Sequence, residues 1–73
     1  MTQNLSRDVA AVIRAEMARE RIPQTRLADA LDLSNAAVSR RLSGQTAFEL
    51  DELPVVAQLL GVDVNTLISG GAA

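Results

Sequence analysis

Asn35, Ala36, Ala37, Ser39, Arg40 and Arg41 are interleaved with Val38 and Leu42. Those two recur four residues apart and mark the apolar face of a helix, so the other six face elsewhere. The resulting outer face is small, polar and tipped with arginine. Such a surface suits the major groove of duplex DNA, where bulky apolar groups would block the approach to base edges. An Asn amide can pair bidentately with adenine and an Arg guanidinium with guanine, while Ala methyls can touch thymine methyls. Asn35, Ala36, Ala37, Ser39 and Arg40 are therefore the expected base contacts. No acid pair, nucleophile–base pair or metal cluster is apparent in the chain, so catalysis is not expected.

That face needs elements to hold it. Ser34 is placed to cap its helix by accepting a backbone N–H through the hydroxyl, and Gly44 to end it in a left-handed conformation. Upstream, Gln24 opens a second short helix whose Leu27, Ala28 and Leu31 share one face, and Asp32-Leu33 makes the turn between the two. Val38 and Leu42 are expected to pack against Leu27, Ala28 and Leu31. A first helix is expected from about Ser6 to Arg21, with Ser6 as its cap and Asp8 in its first turn. Its stripe is Leu5, Val9, Val12, Ile13 and Met17. Arg7, Arg14 and Arg21 recur on a neighbouring face that could meet phosphate; Arg7 and Arg14 are read instead as solvated, with Glu16–Arg19 as a local ion pair. Ile22-Pro23 breaks this helix.

The last third reads as scaffold. A loop over residues 45–49 carries Phe48 as a plug between helices. Asp51 is expected to cap a fourth helix with Pro54 in its first turn, where no N–H is needed. Leu53, Val56, Ala57 and Leu60 line the core and Gly61 stops the helix. Asp63 is expected to cap a final helix, Val64 to Ser69, and residues 70–73 read as a frayed tail. Val55, Leu59, Val64 and Ile68 either complete the core or form a dimer seam.

The ordered set Gln24-x-x-Leu27-Ala28, Leu33-Ser34, Val38-Ser39-Arg40, Gly44 and Leu53…Ala57…Leu60-Gly61-Val62 resembles helix-turn-helix proteins of the Cro and lambda-repressor type, over roughly residues 5–69. The run Ser39-Arg40-Arg41-Leu42-Ser43-Gly44, followed by Phe48 and Asp51-Glu52-Leu53, is similar to small regulators of actinobacterial phages and their hosts. The resemblance implies an all-α, compact five-helix bundle, a single domain with a central helix-turn-helix over about residues 24–43, whose third helix reads DNA. It implies phosphate contacts from Gln24, Ser34, Arg41 and Ser43, Gln24 acting together with the helix amino terminus beside it. Three positions depart from the pattern: Pro23 replaces a hydroxyl cap, Asp32 stands where Gly is usual, and Arg41 replaces an apolar residue. Asp tolerates the left-handed backbone, and either the alkyl stem of Arg41 packs while its head reaches solvent or phosphate, or Leu42 supplies the buried contact instead.

Composition narrows the alternatives. Seventy-three residues suffice for one small core, and that core must be aliphatic, because Phe48 is the single aromatic residue. Without Trp or Tyr, single-stranded bases have no stacking platform. Without Cys or His there is no disulfide frame, zinc site or imidazole base. No membrane span or signal peptide is evident, so a bacterial cytoplasm is the expected setting, with no cofactor and no small-molecule ligand. The net charge of −2 is unusual for a nucleic-acid binder, but it is unevenly placed. Residues 1–41 hold all seven arginines against five acids, and residues 42–73 hold four acids and no base. Such a dipolar domain can turn one end to phosphate. The expected activity is sequence-specific duplex DNA binding and transcription regulation, by a homodimer on a two-fold operator. The alternative is a protein-interaction module on the same scaffold that does not touch DNA.

Overall fold

The computed structural model describes residues 5–69, with side chains from Asp8 onward, and this stretch is helical with no strand. The helices are α1 (Leu5–Glu20), α2 (Gln24–Leu31), α3 (Asn35–Ser43), α4 (Glu52–Leu60) and α5 (Val64–Ser69). This is the all-α five-helix bundle read from the sequence. The expected tail at 70–73 and the side chains of Leu5 and Arg7 lie outside the described residues. α1 already includes Leu5, so Ser6 lies inside its first turn and not at the cap.

Three helices end by the same device. Each is followed by a residue in the left-handed region: Arg21 (φ 56), Asp32 (φ 56) and Gly61 (φ 71). The N–H of that residue donates three positions back, from Arg21 to Ala18 O (3.3 Å), Asp32 to Asp29 O (3.2 Å) and Gly61 to Gln58 O (3.2 Å). The next N–H donates five positions back, from Ile22 to Met17 O (2.9 Å), Leu33 to Ala28 O (3.0 Å) and Val62 to Ala57 O (3.0 Å). This paired pattern is the Schellman motif, which satisfies carbonyls that the helix end leaves open. The second residue is apolar each time and packs half-buried on the core. One dipeptide therefore stops a helix and pins the chain that follows. α3 ends at Gly44 (φ 86), whose N–H donates to Arg41 O (3.2 Å).

The start of α4 corrects one expectation. Asp51 has right-handed helical backbone (φ −69, ψ −21) and makes no capping hydrogen bond with its side chain. The reason lies in its neighbours. Pro54 has no N–H to offer, and the Leu53 N–H already donates to Leu50 O (3.3 Å). The chain instead enters through a tight turn in which Glu52 N–H donates to Glu49 O (2.9 Å). The Glu52 carboxylate reaches back and accepts the Glu49 N–H (3.0 Å), the reciprocal half of a capping box. Before α5, it is the carbonyl of Asp63 that accepts, from Thr66 N–H (2.9 Å).

The core joins all five helices. Val9, Ala10, Ile13 and Met17 come from α1, Leu27 and Ala28 from α2, and Val38 and Leu42 from α3. Leu53, Val56, Ala57 and Leu60 come from α4, and Leu67 from α5. Each fully buried Ile or Leu, such as Ile13, Leu27 and Leu67, contributes about 1.5–3 kcal/mol relative to exposure. Ala10 was absent from the expected stripe; it is fully buried between Val9 and Ile13. α3 packs against α1 and α2, while α4 packs against α1, α2 and α5. Val38 and Leu42 thus enter the core with Leu27 and Ala28, with Leu31 and Phe48 half-buried against it. The four residues with two expected fates divide: Leu59 and Val64 pack half-buried on the core, and Val55 and Ile68 are exposed. Among the described residues, no helix is long and apolar enough to cross a membrane.

Candidate nucleic-acid interface

The candidate surface is the outer side of α3, held at both ends. At its start Ser34 is extended (φ −71, ψ 160) and its Oγ accepts the Ala37 N–H (3.1 Å), the cap read from the sequence. At its end Gly44 supplies the left-handed turn. Val38 and Leu42 fasten the inner face to the core, which leaves Asn35, Ala36, Ser39, Arg40 and Ser43 exposed. Ala37, grouped with the expected base contacts, is half-buried. The side chains of Asn35, Ser39 and Arg40 are exposed and make no hydrogen bond or ion pair with other described residues.

The four expected phosphate contacts have internal partners. Gln24 Nε2 donates to Asn35 O (3.0 Å), a strut from the start of α2 to the start of α3. Its Oε1 and second N–H remain available. Ser34 spends an acceptor site on its cap and keeps its O–H to donate. The Ser43 hydroxyl donates to Arg40 O (2.9 Å) and accepts the Gln45 N–H (3.4 Å). Arg41 differs more. Its Nε donates to Glu52 Oε1 (2.9 Å), and the two side chains are only 11% and 15% exposed. The head that the sequence left between solvent and phosphate is paired with a carboxylate of α4.

Two participants lie outside the roles read from the sequence, in which Arg14 is solvated and Glu52 has none. Arg14 of α1 donates through Nη1 to Leu42 O, bringing a cation to the carboxy-terminal end of α3, where helix carbonyls point outward. With Gln24, Ser39, Leu42 and Ser43 it lines an open groove of about 480 Å³ beside the outer face of α3. Glu52 is the other, as the acceptor for both Arg41 and the Glu49 N–H. Contacts across 28 and 11 positions carry no periodic signal. Arg19, by contrast, is taken up locally as expected. It pairs with Glu16 and with Glu20 (3.1 Å), and the Glu16 hydrogen bond, with the charge of both acids, raises its pKa above the usual arginine value.

The arrangement is suited to hydrogen bonding and to anion contact. A rigid, slender helix presents an amide, a hydroxyl and a guanidinium outward, and a groove beside it carries a second guanidinium. This matches bidentate pairing to base edges combined with anion contacts from flanking groups. Among the described residues, no cluster of acids could hold a metal ion. No significant match to a curated protein or to a solved structure was found. One family model does match, that of the BetR domain, over residues 4–73. The chain therefore belongs to the BetR domain family, small helix-turn-helix-like domains of the DNA-binding, regulatory kind.

Proposed function

We propose that the protein is a sequence-specific regulator of transcription of the Cro-like or small phage-repressor type, reading duplex DNA with α3 in the major groove. The observation that carries this reading is the outer face of α3. Asn35, Ser39 and Arg40 are exposed, without partners among the described residues, on a helix fixed by a cap, a left-handed stop and two buried anchors. In this reading Asn35 pairs with adenine, Arg40 with guanine, and Ala36 and Ala37 meet thymine methyls. Gln24, Ser34 and Ser43 hold the flanking backbone, and Arg14 joins them from the groove. Two copies on a two-fold operator would place their α3 helices about 34–36 Å apart, on one side of the duplex. A body of 35 × 23 × 21 Å fits two abreast at that spacing. The exposed Val55 and Ile68 are available for the contact between copies.

The test is a pull-down of genomic fragments with purified protein, then footprinting and titration of the recovered site at several salt concentrations. A protected two-fold site bound far more tightly than random duplex supports the reading. The net charge of −2 favours a second reading, a protein-interaction module. Absence of any protected site, with a protein partner that binds the α3 face, would replace the first reading by the second.

A further inference from the structure

The α3 and α4 helices do not pack against each other; each is held by α1 and α2. Between them runs the loop over residues 44–51. The side-chain tie across this gap, among the described residues, is Arg41 Nε to Glu52 Oε1 at 2.9 Å, largely shielded from water. The same carboxylate oxygen accepts the Glu49 N–H, so it fixes the far end of the loop as well. At the near end, Thr46 N–H donates to Arg40 O (3.2 Å) and Gly44 N–H to Arg41 O. The Arg41–Glu52 pair and the two near-end bonds meet on the last turn of α3, the turn that carries Arg40.

We propose that Arg41 is a positioning residue: with Glu52 it fixes the last turn of α3, and so the aim of Arg40 at a base, instead of contacting phosphate. The inference rests on the DNA-reading function proposed for α3 and deepens it. Two consequences have opposite signs from those of a phosphate contact. Replacing Glu52 by Gln removes a negative charge near a polyanion, which by simple electrostatics should tighten DNA binding. It should also release Arg41 for phosphate. If the pair instead aims Arg40, the same change loosens the aim and weakens operator binding. Replacing Arg41 by Met keeps an apolar stem and removes the charge. A lost phosphate contact would lower the slope of log K against log salt by about 0.9, whereas a lost strut leaves it unchanged.

The experiment is a double-mutant cycle with Arg41→Met, Glu52→Gln and the pair combined, read by titrating operator and random duplex over a salt series. Thermal melts confirm that each variant is folded at the titration temperature. The expected result is a loss of about three- to tenfold in operator affinity for each single variant. The combined variant should lose no more, the salt slope should equal that of the unaltered protein, and base preference should relax at the position Arg40 reads. Tighter binding by Glu52→Gln, or a slope reduced by about one phosphate in Arg41→Met, would overturn the proposal. If Arg41→Met does not fold, the sign of the Glu52→Gln effect decides alone, since that change is isosteric. A failure of the DNA-reading function itself would be visible separately, as absence of operator binding by the unaltered protein, and the proposal would fall with it.

Discussion

Arg40 and Gln24 should respond differently to truncation, because in the proposed reading Arg40 meets a base edge, while Gln24 spans the starts of α2 and α3. Arg40→Ala is expected to cost about 1–3 kcal/mol on the operator and to relax preference at one position. Gln24→Ala is expected to weaken all sequences alike, since a backbone contact carries no base information. Titration against a panel of single-base operator variants separates the two; equal and uniform losses would remove both assignments. The outer face of α3 was legible in the sequence, because exposure follows from the four-residue recurrence of Val38 and Leu42. The internal partners of Gln24, Ser43 and Arg41 were not. A polar side chain at a helix surface can turn to water, to ligand or to a neighbouring element, and only the packing of elements decides which. Arg14 shows this most clearly. Its spacing marked a solvated face, and its head ends on a carbonyl of another helix.

At the level of elements, the repeated helix stop supplies a stability test. Arg21 holds a left-handed backbone that costs a side-chain-bearing residue more than it costs glycine. Arg21→Gly should therefore raise unfolding free energy by about 0.5–1 kcal/mol, measured by urea denaturation. Asp32→Gly should gain less, because Asp accepts that conformation more readily than Arg. An enlarged residue in the α2–α3 crossing should do the reverse. Ala28 is buried beside Leu27, and Ala28→Leu is expected to cost about 1–3 kcal/mol by overpacking. An unchanged melting temperature would mean that the helices do not cross at this point. The stops at Asp32, Gly44 and Gly61 were readable, since residues tolerant of positive φ follow each apolar stripe. The start of α4 was not: Asp51 is a favoured cap by residue type, but Pro54 removes a donor it would have used.

For the whole molecule, the separation of charge makes a graded prediction. Asp63→Lys should raise affinity for random duplex only modestly, because salt screens charges beyond about 8–10 Å, and Glu49→Lys should raise it more, since Glu49 adjoins the Arg41–Glu52 pair at the end of α3. Arg40→Glu should abolish operator binding by setting a negative charge against phosphate. Filter binding at two salt concentrations would show both, and equal effects of all three changes would contradict the orientation of the domain. The order of helix contacts has a further consequence, for how the chain reaches this structure. α1 packs on α3, α4 and α5 but not on its sequence neighbour α2. Its buried Val9, Ile13 and Met17 have no surface to meet until much later residues arrive. A chain emerging residue by residue must therefore keep the α1 stripe uncovered until α3 supplies the first covering surface, which α4 and α5 then complete. Folding then requires α1 to close over a long loop, because it does not dock on its sequence neighbour. Amides in α1, held by three helices, should accordingly exchange with solvent deuterium more slowly than those in α5, held by α1 and α4.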